Sequence, residues 1–429
     1  MFVITRFELE NGLRVAVVEL PHLHTATLAA YVKVGSRFET QRDNGLSHFV
    51  EHMLFRGTKR YPTSLDLNFA VESLGQALHA ETGRDYSLFQ MAVEAGEVAP
   101  GLGLLGEVIG RPRFSDIELE RALVLEEMRE DYDAKGVEIN VDDIARGLLF
   151  EGHPLGQRII GPLANVERFT EEDVRRHFAS FYGARNMIVC VAGPVSPAEV
   201  ERAAREALGH LPTGVPAEPE PAPPGAGQPL VRFVRDHGSQ VELSVLLRAV
   251  PELDPDYVAS QALLRTLDDG MATRLHYHLC DQKGLAYSVN AGLEPLHDVA
   301  LLDVVASAQP GKVADLLGET LAIFAELRER SIDDDELAKI KRRYRYDLAS
   351  AVDDAAAMAG HFGGIALYYP PPSFEDRLAA MDQITAADIQ RVAARVLDGN
   401  NMAVAVVGAL SRTRQGTIRD LIRGHAHAA

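Results

Sequence analysis

At 429 residues the chain is too long for one ordinary core and points to two or more domains. Hydrophobic residues make up 46% and charged residues 24%, the balance of a soluble globular protein, and a formal net charge of −19 argues against nucleic acid as a partner. No apolar stretch approaches membrane-spanning length, no secretory signal pattern opens the chain, and Cys190 and Cys280 form no pair-spaced motif, so a reducing cytoplasmic setting is expected.

Phe7 to Val18 reads as a hairpin turning at Asn11-Gly12, and Thr25 to Gly35 as a further strand. Gly45 to Thr58 then reads as one short helix, capped by Asp43 or Asn44 and stopped by Gly57 with Pro62 beyond. Leu46, Phe49, Val50, Met53 and Leu54 make one apolar stripe, and His48, Glu51 and His52 lie opposite it. Two imidazoles at i and i+4 stand one turn apart, so both can reach one tetrahedral ion. The carboxylate at i+3 is placed beside them to take a proton from water. This is the H-x-x-E-H pattern. A solvated helix face can look the same, so the pattern needs a third ligand and a setting.

Ser64 to Leu74 reads as a helix and Ala77 to Ala92 as a strand. Helices are expected near Val98 to Ile109, Ser115 to Asp131, Val141 to Leu149, Glu171 to Phe181 and Pro197 to Leu208. Met187 to Gly193 is a strand with Cys190 buried in it. Residues 212–229 are dominated by Pro, Gly, Ala and Glu, a linker between domains 1–211 and 230–429. Two matches at one offset of 215 residues relate the halves. Thr170 to Arg176 matches Thr385 to Arg391, and Asn186 to Gly193 matches Asn401 to Gly408. Two matches in the same order argue for duplication. The same offset carries His48, Glu51 and His52 onto Leu263, Thr266 and Leu267, so only the first half can hold this site.

A catalytic zinc site needs three protein ligands and one open position. The best source of the third is Ser115 to Met128, where Ser115 and Glu118 form a capping box. Glu120, Leu123, Val124 and Glu127 share an inward face, while Glu126 and Glu130 lean to solvent beside Arg129. Periodicity leaves Glu120 and Glu127. An acidic surface helix is the plain alternative, and the His pair makes metal binding the better reading.

With these residues assembled, the chain resembles the pitrilysin-type zinc metallopeptidases (inverzincins), in the short bacterial and processing-peptidase branch and its zinc-bearing subunit. The blocks that carry the resemblance are Asn11 to Val15, Val34 to Arg37, Gly45 to Thr58, Gly152 to Gly156, Ile160-Gly161 and Gly284 to Ser288. It implies two similar α+β domains, each a mainly antiparallel sheet covered by helices. It implies that His48, His52 and Glu127 bind one zinc ion, that Glu51 is the general base, and that Glu120 orients the site. A peptide or unfolded protein would add as a strand at His79-Ala80-Glu81-Thr82, inside a chamber enclosed by paired halves or subunits. His79 stands where the family carries an Asn. The family's Arg/Tyr substrate grip is represented by Tyr287, but Cys280 stands at the arginine position, and Arg274 belongs to a different one. An intact zinc half with an incomplete grip suggests a catalytic subunit that pairs with a related zinc-free chain. A self-sufficient homodimer and a non-proteolytic assembly subunit are the alternatives. His276, His278 and Cys280 diverge on a helix and make no second metal site, the tail His425-Ala426-His427 is expected to be disordered, and Gly360 to Gly364 and Pro370 to Pro372 read as loops.

Overall fold

The computed structural model describes residues 2–427, and the apolar runs of the sequence form two sheets. The first contains β1 (Val3–Glu8), β2 (Arg14–Glu19), β3 (Thr25–Val32), β4 (His79–Thr82), β5 (Ser87–Glu94) and β6 (Met187–Gly193), in the order β1-β2-β6-β3-β5-β4. The second contains β7 (Leu230–Val234), β8 (Val241–Ala249), β9 (Val289–Pro295), β10 (Ala300–Ala308) and β11 (Met402–Val407), in the order β7-β11-β8-β10-β9. Each sheet is antiparallel except for one parallel pair, β2 with β6 and β7 with β11. The repeated elements therefore occupy matching places, and both capping boxes, Thr170 with Asp173 and Thr385 with Asp388, are formed. The fold is two mixed α/β domains, as expected. Where one long strand was expected over Ala77 to Ala92, the chain makes a hairpin, because Gly83 to Tyr86 turns back with Gly83 N donating to Tyr86 O at 2.8 Å.

The helices that position the site are α1 (Leu46–Leu54), α2 (Ser64–Glu72), α3 (Val98–Gly110) and α4 (Ile117–Glu127). Helix α5 (Val141–Leu149) lies elsewhere. The chain forms two compact units that are discontinuous in sequence. The first is built from residues up to Met128, Gln157–Glu220 and Asp347–Pro372, and the second from Arg129–Gly156, Pro221–Tyr346 and the remainder from Ser373. One of the crossings between them falls at Glu220-Pro221, inside the Pro/Gly-rich stretch. Each unit thus includes a segment from the opposite half of the sequence: α5 packs on β8 and β11, and residues 355–367 pack on β3 and β6. In the first unit α3 and that segment cover opposite faces of the sheet, which is why β6 is buried along its whole length.

The segment 355–367 is helical where a loop was expected at Gly360 to Gly364. Those residues form a π-helical turn against Tyr31, and a Cβ at Gly363 would stand 2.7 Å from the Cys190 Cβ, so close packing rather than a turn requires glycine. The Arg14 guanidinium donates to the carbonyls of Ala366 at 2.7 Å and Leu367 at 3.1 Å. The tail is ordered as well: Arg412–His427 is a helix, and the buried His425 ring contacts the Leu397 carbonyl at 3.0 Å. A helix whose Ile418, Ile422 and His425 recur on one buried stripe has a packing face, which the short polar ending concealed. Among the described residues no helix is long and apolar enough to cross a membrane.

Helix α1 is buttressed from behind by the helix Glu171–Phe181. Ser47 Oγ meets His177 Nε2 at 3.0 Å, and the His177 ring lies against Phe181 at 4.7 Å between centroids. Burial pushes His177 down to about 3, with Arg176 nearby acting in the same direction and Asp43 against it. A histidine held neutral in the fold and protonated below 6.5 when unfolded contributes stability above that pH and loses it on acidification. One proton corresponds to about 1.4 kcal/mol per pH unit. Urea unfolding between pH 6 and pH 4 should therefore show His177→Gln with a pH slope shallower by about one proton. An unchanged slope would show that His177 does not titrate between the two states.

Candidate metal centre

The side of α1 opposite His48, Glu51 and His52 buries Leu46, Phe49, Val50, Met53 and Leu54, and this fixes the rotation of the helix about its axis. Its start differs from expectation. Gly45 is the N-cap, at φ 98°, and neither Asp43 nor Asn44 caps the helix with its side chain. The buried carboxylate of Glu39 does so from upstream, accepting from Ser47 N at 2.6 Å, Gly45 N at 2.8 Å and Asn44 Nδ2 at 3.0 Å. It satisfies amides that a helix start leaves unpaired and sets negative charge at the positive end of the dipole. Burial pushes Glu39 up to about 7, against the pull of the Ser47, Asn44 and Gly45 hydrogen bonds. Gly45 also has no room for a side chain, since a Cβ would stand 2.5 Å from the Ile160 carbonyl oxygen.

Helix α4 brings two carboxylates to the imidazoles. Its N-cap is Asp116 at φ 60°, with no side-chain cap, so the expected Ser115/Glu118 box does not form. Glu120 and Val124 are buried, whereas Leu123 is about half exposed, so the expected inward face is only partly inward. Glu127, the last residue of α4, has a half-exposed side chain with Oε1 3.8 Å from His48 Nε2 and Oε2 3.4 Å from His52 Nε2. One donor atom from each of His48, His52 and Glu127 falls within 4.8 Å of the others, and Glu126 is not in the group. Tetrahedral zinc with bonds of about 2.0–2.2 Å needs its donors roughly 3.3 Å apart, so modest side-chain closure suffices and the residues fit a metal ion. Among the described residues no other such group occurs, and His278 Nδ1 of the His276–Gln282 turn is engaged with Gln282 Oε1 at 2.9 Å.

Glu120 lies behind this set. Its Oε1 is 2.8 Å from His52 Nδ1, and its Oε2 accepts from Arg56 Nε. A carboxylate only accepts, so the His52 proton sits on Nδ1 and the Nε2 lone pair is directed at Glu127. Two lone-pair-bearing groups facing each other at 3.4 Å call for a cation or a proton between them. In the metal-free protein burial disfavours charge on His52, yet the Glu120 hydrogen bond and the charges of Glu120, Glu127 and Glu51 hold it above its ordinary value. His48 goes the other way: burial, with help from His52, pushes it down to about 3. Burial raises Glu51, and its Thr82 hydrogen bond pulls back.

The remaining predicted site residues lie in two places. His79, Ala80, Glu81 and Thr82 form β4, at the edge of the first sheet, with His79 and Glu81 exposed. Thr82 is buried, and its hydroxyl donates to Glu51 Oε2 at 2.5 Å. Cys280, in a π-helical turn, and Tyr287, 95% exposed, belong to the second unit. Arg274 is tied to Glu336 at 2.9 Å and Glu326 at 3.1 Å, in an ion-pair network. Glu39, Arg56 and the Thr82–Glu51 contact escaped the sequence reading. Only Arg56, one turn beyond His52, carries a local signal.

The chain is similar to several known proteins. A model described as insulinase (peptidase family M16) matches residues 14–163, and one described as peptidase M16 inactive domain matches residues 168–344. An uncharacterised zinc protease of Streptomyces coelicolor is 27% identical over 98% of this chain and 92% of its own. The mitochondrial-processing peptidase subunit beta of Dictyostelium discoideum is 26% identical over 94% of this chain and 88% of its own. A protease from Helicobacter pylori, known from its crystal structure, shares the fold at TM-score 0.85 and 20% identity over 95% of this chain and all of its own.

Elemental analysis of purified variants checks the third donor. Glu127→Gln should lose most bound metal and Glu126→Gln should keep it. Full metal in both would remove Glu127 from the set.

Proposed function

The chain belongs to the M16 peptidase family, and from that premise we propose that it is a zinc-dependent endopeptidase with His48, His52 and Glu127 as zinc ligands and Glu51 as general base. The observation that carries the reading is the convergence of three donors within 4.8 Å while Glu120 fixes the His52 tautomer. When bound, zinc acts as a Lewis acid that polarises the scissile carbonyl and makes water more acidic. The rest of the work belongs to the chain's own groups. Glu51 removes the proton of the attacking water and delivers it to the leaving amine. Burial raises its basicity above that of a solvated carboxylate, which suits it to both transfers. Glu120 and Arg56 keep the His52 ring oriented throughout.

The substrate in this reading is an extended peptide that pairs with β4, the edge strand of its sheet among the described residues. His79 and Glu81 are exposed along that edge for side-chain contacts. The reading extends to a heterodimer, in which a related zinc-free subunit supplies the arginine that Cys280 does not replace. A thiol matches a guanidinium in neither charge nor geometry. A self-sufficient homodimer is the alternative.

Glu51→Gln should bind zinc like the parent protein and lose hydrolysis by at least 10²–10⁴-fold, roughly the range of general-base catalysis. Activity persisting in that variant, in a preparation free of other proteases, would overturn the mechanism. Peptide cleavage by the isolated chain should rise at least about tenfold on adding the partner, the effect of one charge-assisted hydrogen bond. Full activity of the chain alone, unaltered by Cys280→Arg, would overturn the heterodimer in favour of a self-sufficient enzyme.

A further inference from the structure

Thr82 does more than line an edge strand. It is the one buried residue of β4, and its hydroxyl oxygen stands 2.5 Å from Glu51 Oε2 and 3.3 Å from Ser87 Oγ. Ser87 Oγ is in turn 3.3 Å from the Val34 carbonyl oxygen, to which it donates. The proton directions in this chain are fixed by valence. An ionised carboxylate only accepts, so the single Thr82 proton goes to Glu51. The Thr82 oxygen is then left as an acceptor, and the Ser87 proton is shared between it and Val34 O. The 2.5 Å contact is in the range of charge-assisted O–H···O⁻ bonds.

The backbone that carries this hydroxyl is held firmly. Thr82 pairs with Ser87 at the closed end of the β4–β5 hairpin. The turn beyond it is pinned by Ser36 N to Gly83 O at 3.4 Å, by Arg37 N to Arg84 O at 3.2 Å, and by the buried Arg37–Asp85 ion pair at 3.2 Å. The branched Cβ of threonine adds its own restriction at χ1. A long glutamate side chain on a helix has no comparable constraint of its own.

We propose that Thr82 is a positioning residue for the general base: it anchors Glu51 Oε2 and so dedicates Oε1 to the proton of the attacking water. This rests on Glu51 being the base. It also gives one short element two duties, since the strand whose outer edge is open for a peptide is the strand whose last residue aligns the carboxylate.

The test compares Thr82→Val, which keeps the shape and loses the hydroxyl, with Thr82→Ser, which keeps the hydroxyl. Thr82→Val should retain zinc and thermal midpoint, leave KM within about twofold, and lower kcat by about ten- to a hundredfold, the effect of one hydrogen bond to a charged group. Thr82→Ser should recover most of that kcat. Unchanged kcat in Thr82→Val, an equal loss in Thr82→Ser, or loss of zinc or folding in Thr82→Val would each overturn the proposal. Glu51→Gln, assayed in parallel, separates the two ideas: an active Glu51→Gln variant removes the base itself, whereas an inactive one beside a fully active Thr82→Val removes only the positioning role.

Discussion

The buried carboxylate of Glu39 on the first turn of α1 is the interaction on which the candidate centre depends. A helix of nine residues is marginal by itself, and its geometry is set by what holds its ends and its apolar side. Glu39 fixes the start axially, and Phe49, Val50, Met53 and Leu54 fix the rotation. The same short stretch holds the opposing wall. Arg37, fully buried two residues before Glu39, pairs with Asp85 in the turn that leads out of β4. Two charged side chains two residues apart thus set both partners of the Thr82–Glu51 contact, and that contact closes the ring. Sites of this kind tolerate errors of only about 0.5 Å, which explains why charged groups are spent inside the protein here.

The two sheets match in strand order, yet among the described residues only the first unit holds a group of donors that could bind a metal ion. The second copy places Leu263, Thr266 and Leu267 at the equivalent positions, and all three are buried. Apolar packing there replaces polar chemistry in the first copy. Each compact unit also incorporates a segment from the other half, α5 in one and residues 355–367 in the other. Read linearly, the chain suggests lengths of 1–211 and 230–429, whereas the compact bodies are built from interleaved pieces.

Much of this architecture is legible in the sequence alone. The strands β2, β3 and β6, the α1 stripe, the Glu120 and Glu127 alternatives and the repeat are local or periodic signals, and hydrophobic periodicity reports them well. What escaped depends on long-range contacts. Glu39 caps a helix from outside the local capping window, where the ordinary rule points to Asp43 or Asn44. Gly83 to Tyr86 breaks the strand at Ala77 to Ala92 because the turn is clamped by Ser36 and Arg37, far away in sequence. Gly360 to Gly364 looks like loop composition until the Tyr31 ring and Cys190 are placed against it. Composition cannot tell a glycine needed for close approach from one needed for a turn.

The proposed centre holds one zinc ion between the imidazole nitrogens of His48 and His52 and the carboxylate of Glu127. X-ray absorption at the zinc edge of the purified, zinc-loaded chain measures that shell directly. Two histidine nitrogens at about 2.0–2.1 Å, oxygen at about 2.0–2.2 Å and no sulfur are expected. A sulfur shell at about 2.3 Å, or a shell without two histidines, would contradict it.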